Sequence, residues 1–337
     1  MSRALNASPL VSKETRRLVI ESAEQLHFKP NKAARSLVNQ KTYTIGVILF
    51  SRPAYFWDEV RYGMQRAEKD LCDFGITIRF YSTDIERPEE QITLIQNLEN
   101  DALDGLIISP NDPSRVVECI DHLIDKNIPV LTVSNDIPES RRFCHIGCDY
   151  HRAGRTAGHL MGKFLRKPGE VAILTFSNTV SPIRQRIAGF REVIERSSDI
   201  ALLGPYRLSR IGQEAYEFTQ NLLHEHPGLR GIFVSYGILE QVGQAVKDAQ
   251  KHDDISIIGY DLSSETADLI RADVVDAVIT QEPFYQGYYS TRIMADFLLD
   301  NNKPSMGVIN TKLEIVTREN LLSHEHEAEY CSFLFDI

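Results

Sequence analysis

Short apolar runs alternate with amphipathic stretches along most of this chain. The runs fall at residues 45–50, 76–81, 105–109, 129–134, 171–176, 231–235, 255–260 and 274–280. Between them, residues 89–100, 113–127, 151–166, 183–196, 213–224, 239–251 and 284–299 place apolar side chains at helical spacing. Strands that alternate with helices build parallel sheets covered on both faces. The runs are too many for one ordinary sheet, so the pattern predicts an α/β fold of two doubly wound parallel-sheet lobes. Ligands of such sheets bind outside the carboxyl ends of the strands.

The first forty residues follow a different rule. Ser12 is a predicted N-cap, Glu14 suits the first turn, and Leu18, Val19, Ala23 and Leu26 line one face of a helix. Pro30 stops that helix, and Asn31 caps a second, shorter one before the first strand. Pro9 marks a turn ahead of both, so a small all-α segment is expected. After Asn320 no periodic pattern is visible.

Charge sharpens this division. The chain of 337 residues is long enough for about two to three domains and carries a net charge of −10. Residues 1–41 hold eight Lys or Arg against three Glu, a balance of +5, and the rest holds 29 against 44, a balance of −15. A basic arm on an acidic body suits a protein whose nucleic-acid contacts are confined to one end. No apolar run of 18 residues is present, and the N-terminus lacks the apolar core of a secretory leader, so neither a membrane span nor export is expected. Five cysteines, an odd number, suit reduced thiols in a cytoplasm. Cys144 and Cys148 flank His145 at metal-like spacing. No second ligand pair stands nearby and the residues alternate as in a strand, so core cysteines are expected and neither metal nor cofactor.

The junction between arm and body is the most specific feature. It reads Lys29-Pro30-Asn31-Lys32-Ala33-Ala34-Arg35-Ser36-Leu37, then Thr42-Tyr43-Thr44-Ile45-Gly46-Val47. This resembles the hinge of the lactose-repressor (LacI) family of bacterial transcription regulators, Arg-Pro-Asn-x-x-Ala-Arg-Ser-Leu followed by Thr-x-x-Ile-Gly-Val, with Lys29 in place of the first Arg. Ser2-Arg3-Ala4-Leu5-Asn6 is similar to the end of that family's DNA-reading helix, and the segment from Pro9 to Arg16 to its turn and third helix. The first helix and most of the reading helix have no counterpart, which leads to the expectation of either a start assigned too far downstream or a trimmed chain. The resemblance implies DNA contacts by Arg3, Asn31, Ala34, Arg35 and Leu37. Ala34 permits close helix approach, Arg35 reaches a phosphate, and Leu37 wedges between base steps of the minor groove. Without the resemblance, Leu37 reads as an apolar residue under the first strand.

Residues 44–320 resemble the sugar-binding-protein fold that this family uses as its effector domain. Domain boundaries follow: 1–29 for the partial helix-turn-helix, 30–42 for the hinge, 43–148 with 282–310 for one lobe, 149–281 with 311–320 for the other, and 321–337 for a tail. The resemblance places Phe56, Trp57, Ser134, Asn135, Arg184, Tyr236, Asp261 and Gln281 in an effector pocket. Aromatic faces and charged side chains of that sort suit vicinal hydroxyls. Taken alone, the aromatic pair reads equally as core, Arg184 as a surface ion pair and Asp261 as a helix cap. Ser134 and Asn135 stand where ribose-binding relatives have Asp-Arg, Tyr236 and Gly237 replace Asn-Asp, Leu208 replaces an aromatic, and Pro53 or Ala54 replaces an asparagine. These departures point to a larger or differently substituted sugar, a polyol, or a non-carbohydrate.

The implied function is a cytoplasmic, dimeric DNA-binding regulator, in all expectation a repressor, whose operator affinity is set by a small-molecule effector. The alternative is a solute-binding protein of a transporter. An enzyme is not expected: the chain has no GxGxxG after a strand, no P-loop, no GxSxG elbow and no paired-His metal motif. His224-Glu225-His226 reads as a helix end before Pro227-Gly228.

Overall fold

In a computed structural model of the chain, the described residues are 12–25, 41–85, 87–98, 101–165, 167–177, 180–209 and 213–322. Arg3, Asn31, Ala34, Arg35 and Leu37, the residues expected to touch DNA, lie outside them, as does most of the expected tail. The helix expected after Ser12 is α1 (Lys13–Gln25). The Ser12 hydroxyl accepts the Thr15 amide at 3.2 Å, which satisfies one of the open donors at the helix start.

The first sheet begins with β1 (Tyr43–Phe50), α2 (Ala54–Asp70), β2 (Ile76–Thr83), α3 (Pro88–Leu98), β3 (Gly105–Ile108), α4 (Pro113–Asp125), β4 (Val130–Val133) and β5 (Cys144–Gly147). The chain then crosses into a second sheet. This holds α5 (Tyr150–Phe164), β6 (Gly169–Thr175), α6 (Ser181–Ile194), β7 (Ile200–Arg207), α7 (Glu214–Glu225), β8 (Leu229–Val234), α8 (Leu239–Asp248), β9 (Ser256–Tyr260), α9 (Ser264–Arg271) and β10 (Ala277–Thr280). It returns with α10 (Pro283–Asp300) and β11 (Val308–Asn310), and crosses a third time to β12 (Glu314–Val316). The spatial orders are β11-β5-β4-β3-β1-β2 and β12-β10-β9-β8-β6-β7, so the two lobes share one winding. All pairings are parallel except β10 with β12. Strands β3, β4 and β5 are buried along their whole length, as sheets covered on both faces require.

Periodicity missed α2, α9 and strands β7, β11 and β12, and marked β5 only as an alternation between Cys144 and Cys148. Helix α2 carries seven charged residues among its 17. Strand β7 is an edge strand, partly exposed and interrupted by Gly204-Pro205. Helix α9 spans only 8 residues.

Each lobe is clamped by a pair of glycines. A Cβ on Gly63 would lie 2.0 Å from the Phe284 carbonyl oxygen, and one on Gly287 would lie 1.9 Å from that of Val60. Helices α2 and α10 therefore touch backbone to backbone. The second lobe repeats the arrangement in α5 and α6, where Cβ atoms on Gly154 and Gly189 would fall 2.0 Å from the Arg186 oxygen and 2.1 Å from that of His151.

A part-buried ionic network ties the start of β11 to the first sheet. The Asp136 carboxylate accepts the Thr132 hydroxyl at 2.8 Å, the Ile137 amide at 2.7 Å and Arg142 Nη2 at 2.6 Å, and is also paired with Arg142 Nε. Arg142 Nη1 then donates to the Gly307 carbonyl at 2.9 Å, next to β11. His145, 3.0 Å from the Thr132 hydroxyl, is held neutral because burial depresses its pKa from 6.5 to about 4. Cys144 beside it is a buried free thiol, and among the described residues no group of three or more His, Cys, Asp or Glu is arranged to hold a metal.

Two outcomes follow. Gly287→Ala should cost about 1–3 kcal/mol by forcing α2 and α10 apart, and an unchanged thermal midpoint would contradict the close contact. Between pH 6.5 and about 4 the unfolded chain binds a proton at His145 that the folded chain does not. The stability tied to a neutral His145 is complete above that window and is lost as pH falls through it. Thermal unfolding of His145→Gln across this range should show a shallower acid loss than the parent.

Candidate ligand-binding site

The carboxyl ends of both sheets face one another, and a cavity of about 20 Å³ lies between them, room for about one water. Its walls come from both lobes. From the first, Phe50 ends β1, and Phe56 and Trp57 occupy the first turn of α2, all three buried. Trp57 meets Phe50 and Phe56 edge-on, with ring centroids 5.1 and 4.9 Å apart. This edge-to-face packing suits the positive rim and negative face of aromatic rings. Ser134 and Asn135 follow β4, and the Asn135 amide donates to the Pro110 carbonyl at 2.8 Å.

The second lobe supplies the charge. Arg186, only 1% exposed, reaches into the cavity from α6. Its guanidinium lies 3.8 Å from the Tyr260 ring centroid, 5.2 Å from that of Tyr150 and 5.9 Å from that of Tyr236, and Nη1 donates to the Ser235 carbonyl at 3.1 Å. Burial works against this charge, but the Asp261 carboxylate and surrounding groups outweigh it, so Arg186 is held firmly protonated. Asp261 stands behind Gln281, which lines the cavity and donates to Asp261 Oδ1 at 2.8 Å. Burial raises the Asp261 pKa against the pull of Arg186 and of that hydrogen bond. Cys148 donates to Gln281 Oε1 at 3.4 Å, and burial pushes its thiol up to about 12. Tyr150 joins the lobes by donating to the Ser134 carbonyl at 2.8 Å.

Ser134 and Asp261 share a backbone feature. Each follows the fourth strand of its lobe in the left-handed region, with φ of 62° and 64°. Non-glycine residues seldom adopt that conformation, and those that do concentrate at functional sites.

Of the eight residues expected in the pocket, Phe56, Trp57, Ser134, Asn135, Tyr236 and Gln281 line the cavity. Asp261 is buried one side chain behind it. Arg184 requires a correction. It lies on the exposed face of α6, because two residues along a helix turn a side chain by about 200°. The buried stripe of α6 is Pro182, Ile183, Arg186, Gly189 and Phe190, so Arg186 is the arginine that enters the pocket. A charged residue in phase with an apolar helical stripe was the signal that distinguishes them. Tyr150 and the apolar walls Ile85, Val180 and Ile183 carried no comparable signal. Leu208 lies outside this cavity, in a wider cleft beyond it.

The polar atoms of this region that are buried without a hydrogen-bond partner include Trp57 Nε1, Arg186 Nε, Asp261 Oδ2 and the Tyr260 hydroxyl. They comprise donors, an acceptor and a group that is both, the complement of a molecule bearing hydroxyls.

Two doubly wound lobes with such a pocket at their shared carboxyl ends define a two-lobed small-molecule binding protein. Residues 45–303 match the periplasmic binding protein domain family, and the chain belongs to that family. The ribose operon repressor of Halalkalibacterium halodurans is 26% identical over 87% of this chain and 84% of its own length. The ribose import binding protein RbsB of Bacillus subtilis is 22% identical over 83% of this chain and 89% of its own. Among solved structures, GanP, a glucose-galactose binding protein from Geobacillus stearothermophilus, superposes with a TM-score of 0.75 at 25% identity, covering 83% of this chain and 99% of that one.

Arg186→Met should lower stability in a pH-dependent way. It removes the cation that restrains the Asp261 pKa, which then rises further. A carboxyl whose folded pKa is raised favours folding at low pH and weakens it as pH rises through that value. The midpoint of Arg186→Met should therefore fall more than the parent's as pH rises above the ordinary carboxyl value of about 4, and adding Asp261→Asn should abolish the extra slope. A slope that persists in the double variant would break the link between the two residues.

Proposed function

We propose that this chain is an effector-responsive transcription regulator of the lactose-repressor kind, in which a neutral, hydroxyl-rich ligand sets the affinity of the N-terminal segment for DNA. The single observation that carries the ligand half is the set of buried, unpartnered groups in and just behind the pocket, Trp57 Nε1, Arg186 Nε and Asp261 Oδ2. A carboxylate accepts from a hydroxyl while a guanidinium or indole donates to the same oxygen, and the rings of Phe56 and Trp57 cover the apolar face of a sugar. The DNA half rests on the basic balance of residues 1–41, on the hinge pattern that precedes β1, and on the likeness to a ribose operon repressor.

In this reading the ligand closes the lobes and closure alters the geometry of paired N-terminal segments, so ligand and DNA affinities are reciprocally coupled. Pairing through the outer faces of α2 and α10 is supported by Tyr62, Tyr285 and Tyr289, which are 38%, 42% and 44% exposed there. The ligand is bound and released unchanged in the cytoplasm. Consistent with that, Tyr150 in the pocket and Cys148 behind Gln281 are held protonated by burial. No helix among the described residues is long and apolar enough to cross a membrane. A second reading, a binding protein that hands a solute to a transporter, is favoured by the likeness to RbsB.

Trp57 is the only tryptophan and lines the cavity, so its fluorescence reports directly on occupancy. Titration with a panel of sugars and polyols should give a saturable change with one class, and Arg186→Met should abolish it. Selection of the full chain against a random duplex library should yield a retained sequence whose affinity shifts by roughly 5–150-fold with that ligand. Ligand binding without any retained DNA would transfer the chain to the transporter reading, and silence across the panel would remove the carbohydrate reading.

A further inference from the structure

We propose that the ligand site continues beyond the inner cavity into an outer cleft, and that the natural ligand is a neutral sugar of two units, a disaccharide or glycoside. The proposal rests on the carbohydrate reading above and deepens it. The outer cleft measures about 690 Å³ against about 20 Å³ inside, and ligand pockets typically run from about 300 to 1,000 Å³. The two spaces adjoin, because Ile85 from the first lobe and Val180 from the second line both, and they join when the lobes part at that contact. Ile85 packs across the lobes against Phe176, Val180 and Ile183. This apolar contact marks where the linkage between two units would pass.

The outer walls carry the groups that a hydroxyl-bearing ring requires. Asn111 is only 7% exposed. Its backbone N–H donates to Gln91 Oε1 at 3.0 Å and its side-chain Nδ2 to the Asp84 carbonyl at 3.5 Å, yet its Oδ1 is buried with no partner. An unpaired buried acceptor costs free energy until a donor arrives, and a ligand hydroxyl at the cleft wall is such a donor. Opposite stands Arg207 at the end of β7, whose Nε donates to the Phe176 carbonyl at 3.2 Å. Asp112, Glu214, Ser177 and Ser209 complete the polar lining. With two carboxylates against one guanidinium, the cleft disfavours a phosphate or carboxylate and suits neutral hydroxyls. Leu208 and Phe176 supply the apolar surface on which the carbon face of a ring rests. Leu208 thereby accounts for a departure visible in the sequence: a smaller apolar residue in place of an aromatic leaves the mouth of the site open.

Native mass spectrometry of the full chain tests this directly, after incubation with an equimolar panel of pentoses, hexoses and their disaccharides and methyl glycosides. The expected bound mass is that of a two-unit sugar. Arg207→Ala, an exposed position that should not perturb folding, is expected to weaken that ligand about tenfold, towards the affinity of its one-unit half. Asn111→Ala should act in the same direction. Retention of a single-unit sugar only, or unaltered two-unit affinity in both variants, would overturn the outer subsite while leaving the carbohydrate reading in place. Retention of no member of the panel would overturn both.

Discussion

A guanidinium almost wholly removed from water is the constraint around which this binding site is organised. Burying an ion costs several kcal/mol unless its surroundings replace the lost hydration. Here Arg186 receives the face of Tyr260, the carbonyl of Ser235 and the field of Asp261. Asp261 is in turn held by Gln281, and Gln281 by Cys148. The chain of partners spans the segment just before α5, the strand end of β9 and the crossing after β10, so a single charge ties together three separated pieces of sequence. The neighbours respond in kind. Cys148, Tyr150 and Tyr260 all lose acidity by burial, which leaves Arg186 and Asp261 to set the charge of the enclosure.

How much of this was legible in the sequence depends on how locally each feature is encoded. The doubly wound lobes were visible because a parallel strand buried on both faces is a continuous apolar run, and the helices between show one apolar stripe. Helix α2 escaped because its charges, from Asp58 to Asp70, mask a narrow buried face of Phe56, Trp57, Val60, Gly63, Met64 and Ala67. Edge strand β7 escaped because none of its residues is fully buried, so it shows no continuous apolar run. The aromatic pair at Phe56 and Trp57 was anticipated, whereas the pocket arginine was misplaced by two residues. A motif of the form Arg-x-Arg does not reveal its inward member until the phase of the helix is counted from Ile183 through Phe190. Val180 and Ile85 belong to loops brought together from opposite lobes, a tertiary contact without any local signature.

The closed shape also bears on how a ligand arrives. With only about 20 Å³ free behind the Ile85–Val180 contact, the inner pocket admits nothing larger than water unless the lobes part. Parting them separates apolar surfaces across the cleft and breaks the Tyr150–Ser134 hydrogen bond. The same pocket groups are therefore used twice, once against one another and once against the ligand, which makes them a natural place to bias an open–closed equilibrium.

The shared winding of the two lobes has a consequence for how such a site diversifies. Equivalent strands, equivalent glycine-tight helix pairs and equivalent left-handed turns at Ser134 and Asp261 build the same frame twice, yet the frame is furnished differently. One half contributes flat aromatic surface, while the other contributes the ions and the tyrosines around them. Shape preference and polarity preference are thus written on separate halves of the molecule. Substitutions around Trp57 alter which outline is accepted without disturbing the charge balance, and changes around Arg186 do the reverse. A lineage carrying this scaffold can drift from one ligand to another one attribute at a time.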